Sequence, residues 1–224
     1  MLIKSRATLE RELQDLQDDL LVMGSMVEKQ IARAVESLQK RDFQEARQVI
    51  RADLEINEKR FEIEEQAILL IATQQPIASD LRVIVSALNI IVDLERMGDH
   101  AEGIAKITLL HEDLPPVKPL IDIPRMADKA RNMLRMSLDA FVAHDAEHAT
   151  FIAAMDDEVD ALYDQVYREL LTYMIQDPST MERATWLLWT AHNLERIADR
   201  VTNICERTVY MVSGQMQELN VSKY

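Results

Sequence analysis

The chain has 224 residues, of which 48% are hydrophobic, 29% are charged and only 5% are aromatic. The hydrophobic fraction is enough for a substantial core, and the low glycine count of 4 favours a mostly helical protein. The net charge of −14 argues against a general nucleic-acid binder, because contacts to phosphates require Lys and Arg.

Cysteine content and the N-terminal segment indicate the compartment. The single cysteine, Cys205, excludes an intrachain disulfide and fits a reducing environment. The first six residues, MLIKSR, lack the apolar core of a signal peptide. No apolar run in the sequence approaches the length needed to span a membrane. We therefore expect a cytoplasmic protein that is peripheral to a membrane at most.

Apolar residues recur at helical spacing along the whole chain. The first such stripe consists of Met23, Val27, Ile31, Ala34, Val35 and Leu38. The next follows Ile56, Ile63, Ala67 and Leu70, with Arg60 as a polar exception. This periodicity of 3.6 residues predicts amphipathic helices, and no alternating pattern typical of strands occurs.

Capping residues and prolines divide the periodic segments. Asp42 stands three residues before Glu45, a capping-box pattern, and Asp177-Pro178 reads as a cap followed by the first helical residue. Pro76 and Pro124 mark further starts. The sequence thus predicts six helices, near residues 5–41, 43–75, 77–111, 122–143, 146–176 and 178–213.

The second half of the chain repeats the first. Met23 aligns with Met126, and Asp42 aligns with Asp145. The apolar stripe of the second helix is kept as well, with Arg60 aligned to Tyr163. The predicted fold is all-α, a tandem repeat of two three-helix bundles. The expected units are residues 1–112, a Pro-rich linker at 113–122, and residues 123–224.

Each half carries acidic residues spaced four apart. The sequence Leu-Glu-Arg-x-x-Asp occurs in the third helix of both halves, and a related pair occurs in both second helices. The eight residues are Asp53, Asn57, Glu95 and Asp99 in the first half, and Asp156, Asp160, Glu195 and Asp199 in the second. Residues i and i+4 share a helix face, so facing pairs could surround one volume. Such oxygen ligands suit iron, manganese, magnesium or calcium, whereas zinc more often recruits His or Cys.

The same acids also have a purely structural interpretation. Arg96 and Arg196 could neutralise them in a solvated, salt-bridged face that binds no ligand. Gly98 lies mid-helix between Glu95 and Asp99, where it fits either close packing or access for an ion. The residues alone leave these interpretations open. No Glu-x-x-His is present, which disfavours a di-iron oxidase, and no Gly-rich phosphate loop occurs.

A further stretch, QPIASDLR at residues 75–82, completes a pattern with the duplicated Leu-Glu-Arg-x-x-Asp motif. Together with MGSMVEKQ at residues 23–30 and NICE at residues 203–206, it resembles the PhoU family of bacterial phosphate-uptake and phosphate-signalling regulators. The resemblance extends from about Leu9 to Met211. It implies the same fold of two repeated three-helix bundles.

The resemblance also bears on metal binding. Some members of the family bind multinuclear iron or zinc clusters through Asp/Glu-x-x-x-Asp motifs, which implies iron or zinc clusters at the eight residues named above; other divalent metals are not excluded. This chain departs from the motif at Asn57. It also has Gly103 and Lys106 where the second half has Asn203 and Glu206. The second half is therefore expected to hold the better site.

The function implied by the resemblance is regulatory and not enzymatic. Family members couple a phosphate ABC transporter to a membrane histidine kinase and repress phosphate-starvation genes when phosphate is plentiful. The expected partners are thus the transporter's nucleotide-binding subunit and a phosphate-sensing histidine kinase. Membrane association is expected through these partners, and a homodimer is compatible with the resemblance. The alternative is a metal-dependent hydrolase acting on phosphate esters, because clustered carboxylates could hold two metals that activate water.

Overall fold

The computed structural model describes residues 6–219, and every regular element in that range is helical. The seven α-helices are α1 (Arg6–Lys40), α2 (Phe43–Gln74), α3 (Ala78–Leu110), α4 (Asp122–Val142), α5 (Ala146–Ala153), α6 (Asp156–Gln176) and α7 (Met181–Ser213). A 3₁₀ turn, Pro178–Thr180, leads into α7. No helix of this range is long and apolar enough to cross a membrane.

The predicted all-α fold of two three-helix repeats is confirmed. All six predicted helices are present within residues 6–219. The fifth, predicted at 146–176, is interrupted by a turn at Ala154 and Met155, and so forms α5 and α6. The last helix begins at Met181 because Pro178 starts the 3₁₀ turn instead. The predicted start at residue 5 and the outermost parts of the two expected units, 1–5 and 220–224, lie outside the described residues.

Side-chain caps begin the helices where the sequence predicts them. The Asp42 carboxylate accepts hydrogen bonds from the backbone N–H groups of Gln44, at 3.1 Å, and Glu45, at 2.9 Å. The Glu45 side chain does not complete the capping box, because its carboxylate pairs with Arg33 of α1 at 2.5 Å. Asp145 caps α5 by accepting one hydrogen bond, from the backbone N–H of His148 at 2.9 Å.

Each bundle is built around its last helix. Helix α3 packs against α1 and α2, α7 packs against α4, α5 and α6, and the bundles meet along α3 with α7 and along α1 with α4. The predicted stripe of α1, from Met23 to Leu38, is buried. Gly24 permits the approach of α1 to α4, because a Cβ atom there would lie 2.2 Å from Leu138 Cδ1.

Polar contacts join the two helices that carry the repeated motif. Asp93 on α3 accepts hydrogen bonds from Arg200 Nη1 and Asn203 Nδ2 of α7, both at 3.0 Å. His100 Nδ1 lies 2.8 Å from Asn193 Oδ1. These contacts fix α3 against α7, so the acidic residues of the two halves hold a defined relative position.

Candidate metal centre

The second-half acids lie on two packed helices, α6 and α7. Asp156 is the first residue of α6 and is only 4% exposed. Burial, together with the charges of Asp160, Asp199 and Glu195, raises the pKa of Asp156 from 3.8 to about 7. Because α6 and α7 pack against each other and the acids of α7 act on Asp156, the α6 pair and the α7 pair lie in one region.

Glu195 shows the same effect from the other helix. Burial and the charge of Asp199 raise its pKa to about 7, although Arg196 acts in the opposite direction. The Oε2 atom of Glu195 is buried and accepts no hydrogen bond from residues 6–219. The nearest ring nitrogen, His192 Nδ1, lies 3.4 Å away on a half-exposed imidazole. A buried carboxylate oxygen that accepts no hydrogen bond is stabilised when it binds a proton or a cation.

The donor chemistry fits a cation, but the side chains are not arranged as a finished coordination shell. Within residues 6–219, no group of three or more His, Cys, Asp or Glu side chains has an arrangement that could hold a metal ion. The Arg196 guanidinium hydrogen-bonds Asp199. A cation bound here must therefore compete with Arg196 for Asp199 and draw the carboxylates together.

In the first half, amide side chains donate hydrogen bonds to the acid on α2. The carboxylate of Asp53 is buried and accepts hydrogen bonds from Gln30 Nε2, at 3.2 Å, and Asn57 Nδ2, at 3.1 Å. Burial raises the pKa of Asp53, and so do the charges of Glu102 and Asp99, whereas the two amides lower it. Asn57, the departure from the acidic motif, is thus a donor to Asp53.

Arginines lie near the other two first-half acids, although Glu95 Oε2, like Glu195 Oε2, is buried and accepts no hydrogen bond from residues 6–219. Arg60 Nη1 lies 3.7 Å from Glu95 Oε1, and Arg96 Nε lies 3.6 Å from Glu95 Oε2. Arg96 also pairs with Asp99 at 3.0 Å. The arginine–aspartate pairs that the structural interpretation requires are present in both halves, as Arg96 with Asp99 and Arg196 with Asp199.

Three replacements explain why the halves differ electrostatically. From first half to second, they are Gln30 to Met133, Asn57 to Asp160, and Arg60 to Tyr163. The first removes an amide donor, the second replaces an amide donor by an acid, and the third removes a positive charge. The burial of Tyr163 and the nearby Glu195 raise the pKa of that phenol. The second half is therefore the more electronegative of the two candidate sites.

Sequence reasoning missed two residues of the first-half site, Gln30 and Glu102. Glu102 could have been found, because it follows Asp99 by three positions and shares its helix face. Gln30 is the one amide donor of α1 in this site, and its reach to Asp53 depends on helix packing. Gly98 belongs to the same packing, since a Cβ atom there would lie 3.2 Å from Asp53 Oδ1.

The remaining candidates near the motif have structural roles. Cys205 is fully buried, and burial raises the pKa of its thiol to about 12, which makes it a core residue and not a nucleophile. Glu206 accepts a hydrogen bond from the backbone N–H of Leu219 at 3.1 Å. That contact ties the segment after α7 back to the helix.

Comparisons with known proteins agree with this repeat organisation. The PhoU domain profile matches residues 20–108 and again residues 123–208, one match in each half. The chain belongs to the PhoU family. Both candidate sites therefore lie in equivalent positions of two PhoU domains.

Relatives and solved structures support the assignment over nearly the full length. The "phosphate-specific transport system accessory protein PhoU homolog" of Clostridium acetobutylicum is 43% identical over 222 residues, covering 96% of this chain and 99% of that protein. The PhoU protein of Escherichia coli strain K12 is 35% identical, covering 91% and 85%. The crystal structure of PhoU from Pseudomonas aeruginosa superposes with a TM-score of 0.87 at 36% identity, covering 92% of this chain and 99% of that one. PhoU from Streptococcus pneumoniae gives 0.86 at 33% identity, covering 93% and 99%.

Proposed function

We propose that this protein is a non-enzymatic accessory and regulatory protein of phosphate uptake. The observation that carries the proposal is the pair of PhoU domain matches, together with relatives named as accessory proteins of phosphate-specific transport systems. Residues 1–112 and 123–224 act as the two repeat units, joined by the linker at 113–122.

In this proposal the protein is a cytoplasmic adaptor and negative regulator. It links the nucleotide-binding subunit of a phosphate ABC transporter to a phosphate-sensing histidine kinase, and it reaches the membrane only through them. The outer face of α2 supports a binding role, because Leu54, Phe61 and Ile68 are exposed at two-turn spacing with Glu58 and Glu65 between them. Such a surface suits an amphipathic partner helix that carries basic residues.

A pull-down experiment tests the adaptor role. The purified protein should retain the nucleotide-binding subunit and the cytoplasmic portion of the kinase, and Phe61→Ser should weaken retention of at least one of them. Phe151→Ser, which alters an equally exposed aromatic side chain on α5, serves as the matched control. Retention of neither partner, with or without added metal, would refute the adaptor role. Sedimentation of the protein alone tests for a homodimer.

Metal binding is part of the same proposal. Asp156, Asp160, Glu195 and Asp199 would hold iron, zinc or another divalent cation, and Asp53, Asn57, Glu95 and Asp99 would form a weaker counterpart. The support is the pKa of about 7 for Asp156 and Glu195, which burial raises most and neighbouring acids raise further, because a shared cation would stabilise both carboxylates in their ionised form. The bound cation would link α6 to α7, because carboxylates of both helices would bind it.

The hydrolase alternative is weaker for electrostatic reasons. Acids with a pKa near 7 are reasonable general acids or bases, which is the one observation in its favour. The net charge of −14 opposes the approach of anionic phosphate esters. Hydrolysis of p-nitrophenyl phosphate that is stimulated by metal and lost in Asp199→Ala would establish the alternative and overturn our proposal.

A further inference from the structure

A cavity of about 420 Å³ lies away from the acidic residues, where the linker crosses one end of the first bundle. It is bounded by the turn between α1 and α2, the C-terminal end of α3, the linker and α7. Its walls are mostly apolar, formed by Leu38, Phe43, Val117, Leu120 and Leu187. This volume falls within the range of small-molecule sites, about 300–1,000 Å³.

One cation on the cavity wall lacks a carboxylate partner. Arg41 donates from Nη2 to the backbone carbonyls of His111, at 3.0 Å, and Glu112, at 3.3 Å. Its guanidinium lies 5.4 Å from the centre of the Phe43 ring. No carboxylate of residues 6–219 forms an ion pair with it, whereas the nearby Arg47 pairs with Glu112 at 2.7 Å. Arg41 is therefore held at the C-terminal end of α3 by carbonyl groups, without a carboxylate partner among residues 6–219.

The other polar groups of the cavity add no net charge. The ammonium of Lys118 is buried and pairs with Glu169. His111 is only 5% exposed, and burial lowers its pKa, so the imidazole is neutral. Its Nδ1 donates to the Ile107 carbonyl at 3.0 Å, and the backbone groups of Ile107 and Arg183 offset part of the effect of burial on its pKa. The cavity thus presents one positive charge among apolar walls.

We propose that this cavity binds a small amphipathic monoanion. The anionic head, a carboxylate or sulfonate, pairs with Arg41, and the apolar body packs against Leu38, Val117 and Leu187. A single cation matches a single negative charge, so polyanions such as nucleotides are poor ligands here. This site is separate from the candidate metal centre and does not depend on the proposed role in phosphate uptake.

Two fluorescent probes with the same aromatic body test the proposal on the intact protein. 8-Anilino-1-naphthalenesulfonate carries a sulfonate that N-phenyl-1-naphthylamine lacks. We expect Arg41→Gln to weaken binding of the sulfonate probe by about 10-fold or more, because a charge-assisted hydrogen bond is lost, and to change binding of the neutral probe by less than about 3-fold. Arg47→Gln, the matched control outside the cavity, should change neither by more than about 2-fold.

A second variant keeps the test decisive if Arg41→Gln does not fold. Val117→Trp fills the cavity from the linker and should weaken binding of both probes. Octanoate should displace the sulfonate probe from the wild-type protein, and 1-octanol should do so less well. The proposal is overturned if the wild type does not bind the sulfonate probe, if the Arg41 and Arg47 variants weaken binding equally, or if Val117→Trp binds both probes as the wild type does.

Discussion

Asp156→Asn is expected to stabilise the metal-free protein above pH 7. The carboxylate is buried at the start of α6, and its pKa is raised from 3.8 to about 7 by burial and by four neighbouring acids. At pH 8 the wild type must ionise this group against those charges. Asparagine has almost the same shape and carries no charge, so the variant avoids that cost.

The magnitude follows from the two pKa values. A difference between 3.8 and about 7 corresponds to about 4 kcal/mol, at about 1.4 kcal/mol per pKa unit. Glu195 has a similar pKa and relieves part of the repulsion by keeping its own proton near neutrality. We therefore expect a gain of about 1–3 kcal/mol in the free energy of unfolding at pH 8, or about 2–10 °C in Tm for a chain of this size.

The sign of the pH dependence is fixed by linkage. Between about pH 4 and pH 7 the folded wild type holds more protons on Asp156 than the unfolded chain does, so its stability falls as pH rises through this window. Below pH 4 the group is protonated in both states. The difference in the free energy of unfolding between variant and wild type should thus be small at pH 4, increase between pH 4 and pH 7, and stay constant above pH 7.

Urea unfolding in excess chelator, at pH 4 and at pH 8, measures this effect. Asp53→Asn is the matched control, and we expect a smaller gain there, because Asp53 already accepts hydrogen bonds from Gln30 and Asn57. Added Mn²⁺ or Zn²⁺ should reverse the order of stability, since only the wild type keeps the full set of second-half carboxylates. Destabilisation of Asp156→Asn at pH 8 in chelator would show that the charge of Asp156 is well compensated, and would refute the reasoning.

Three further predictions concern the metal and the packing. Protein purified without chelator should contain iron, zinc or manganese by mass spectrometry, and the Asp99→Ala/Asp199→Ala double variant should have lost it; equal content in both would exclude these ligands. Asp42→Ala should cost about 1 kcal/mol in urea unfolding, and Asp42→Asn much less, because both Asp and Asn cap helices. Gly24→Ala should destabilise by about 1–3 kcal/mol through its clash with Leu138, and Leu138→Ala should reduce that cost in a double-mutant cycle.

The fold was predictable because periodicity and caps are local properties. The interruption of the fifth helix could not be predicted, because it falls at Ala154 and Met155. Both residues favour helices, and neither is a Gly or a Pro. At this point the backbone hydrogen bonds join residues three apart in sequence instead of four. Met155 N–H, for example, donates to Ile152 O at 3.0 Å. The run Asp156-Asp157-Glu158 was an available signal, since acids favour the first turn of a helix. The turn places Asp156 at that new N-terminus.

The difference between the two candidate sites was only partly visible in the sequence. The replacement of the motif's acid by Asn57 is visible in the sequence, and it predicted that the first-half site carries less charge. Which basic side chain lies beside which acid depends on helix packing. For example, Arg60 Nη1 of α2 lies 3.7 Å from Glu95 Oε1 of α3. The aligned Tyr163 cannot neutralise Glu195 in that way. Divergence at this aligned position thus leaves the second half with one arginine fewer beside its acids than the first half, where Arg60 lies near Glu95.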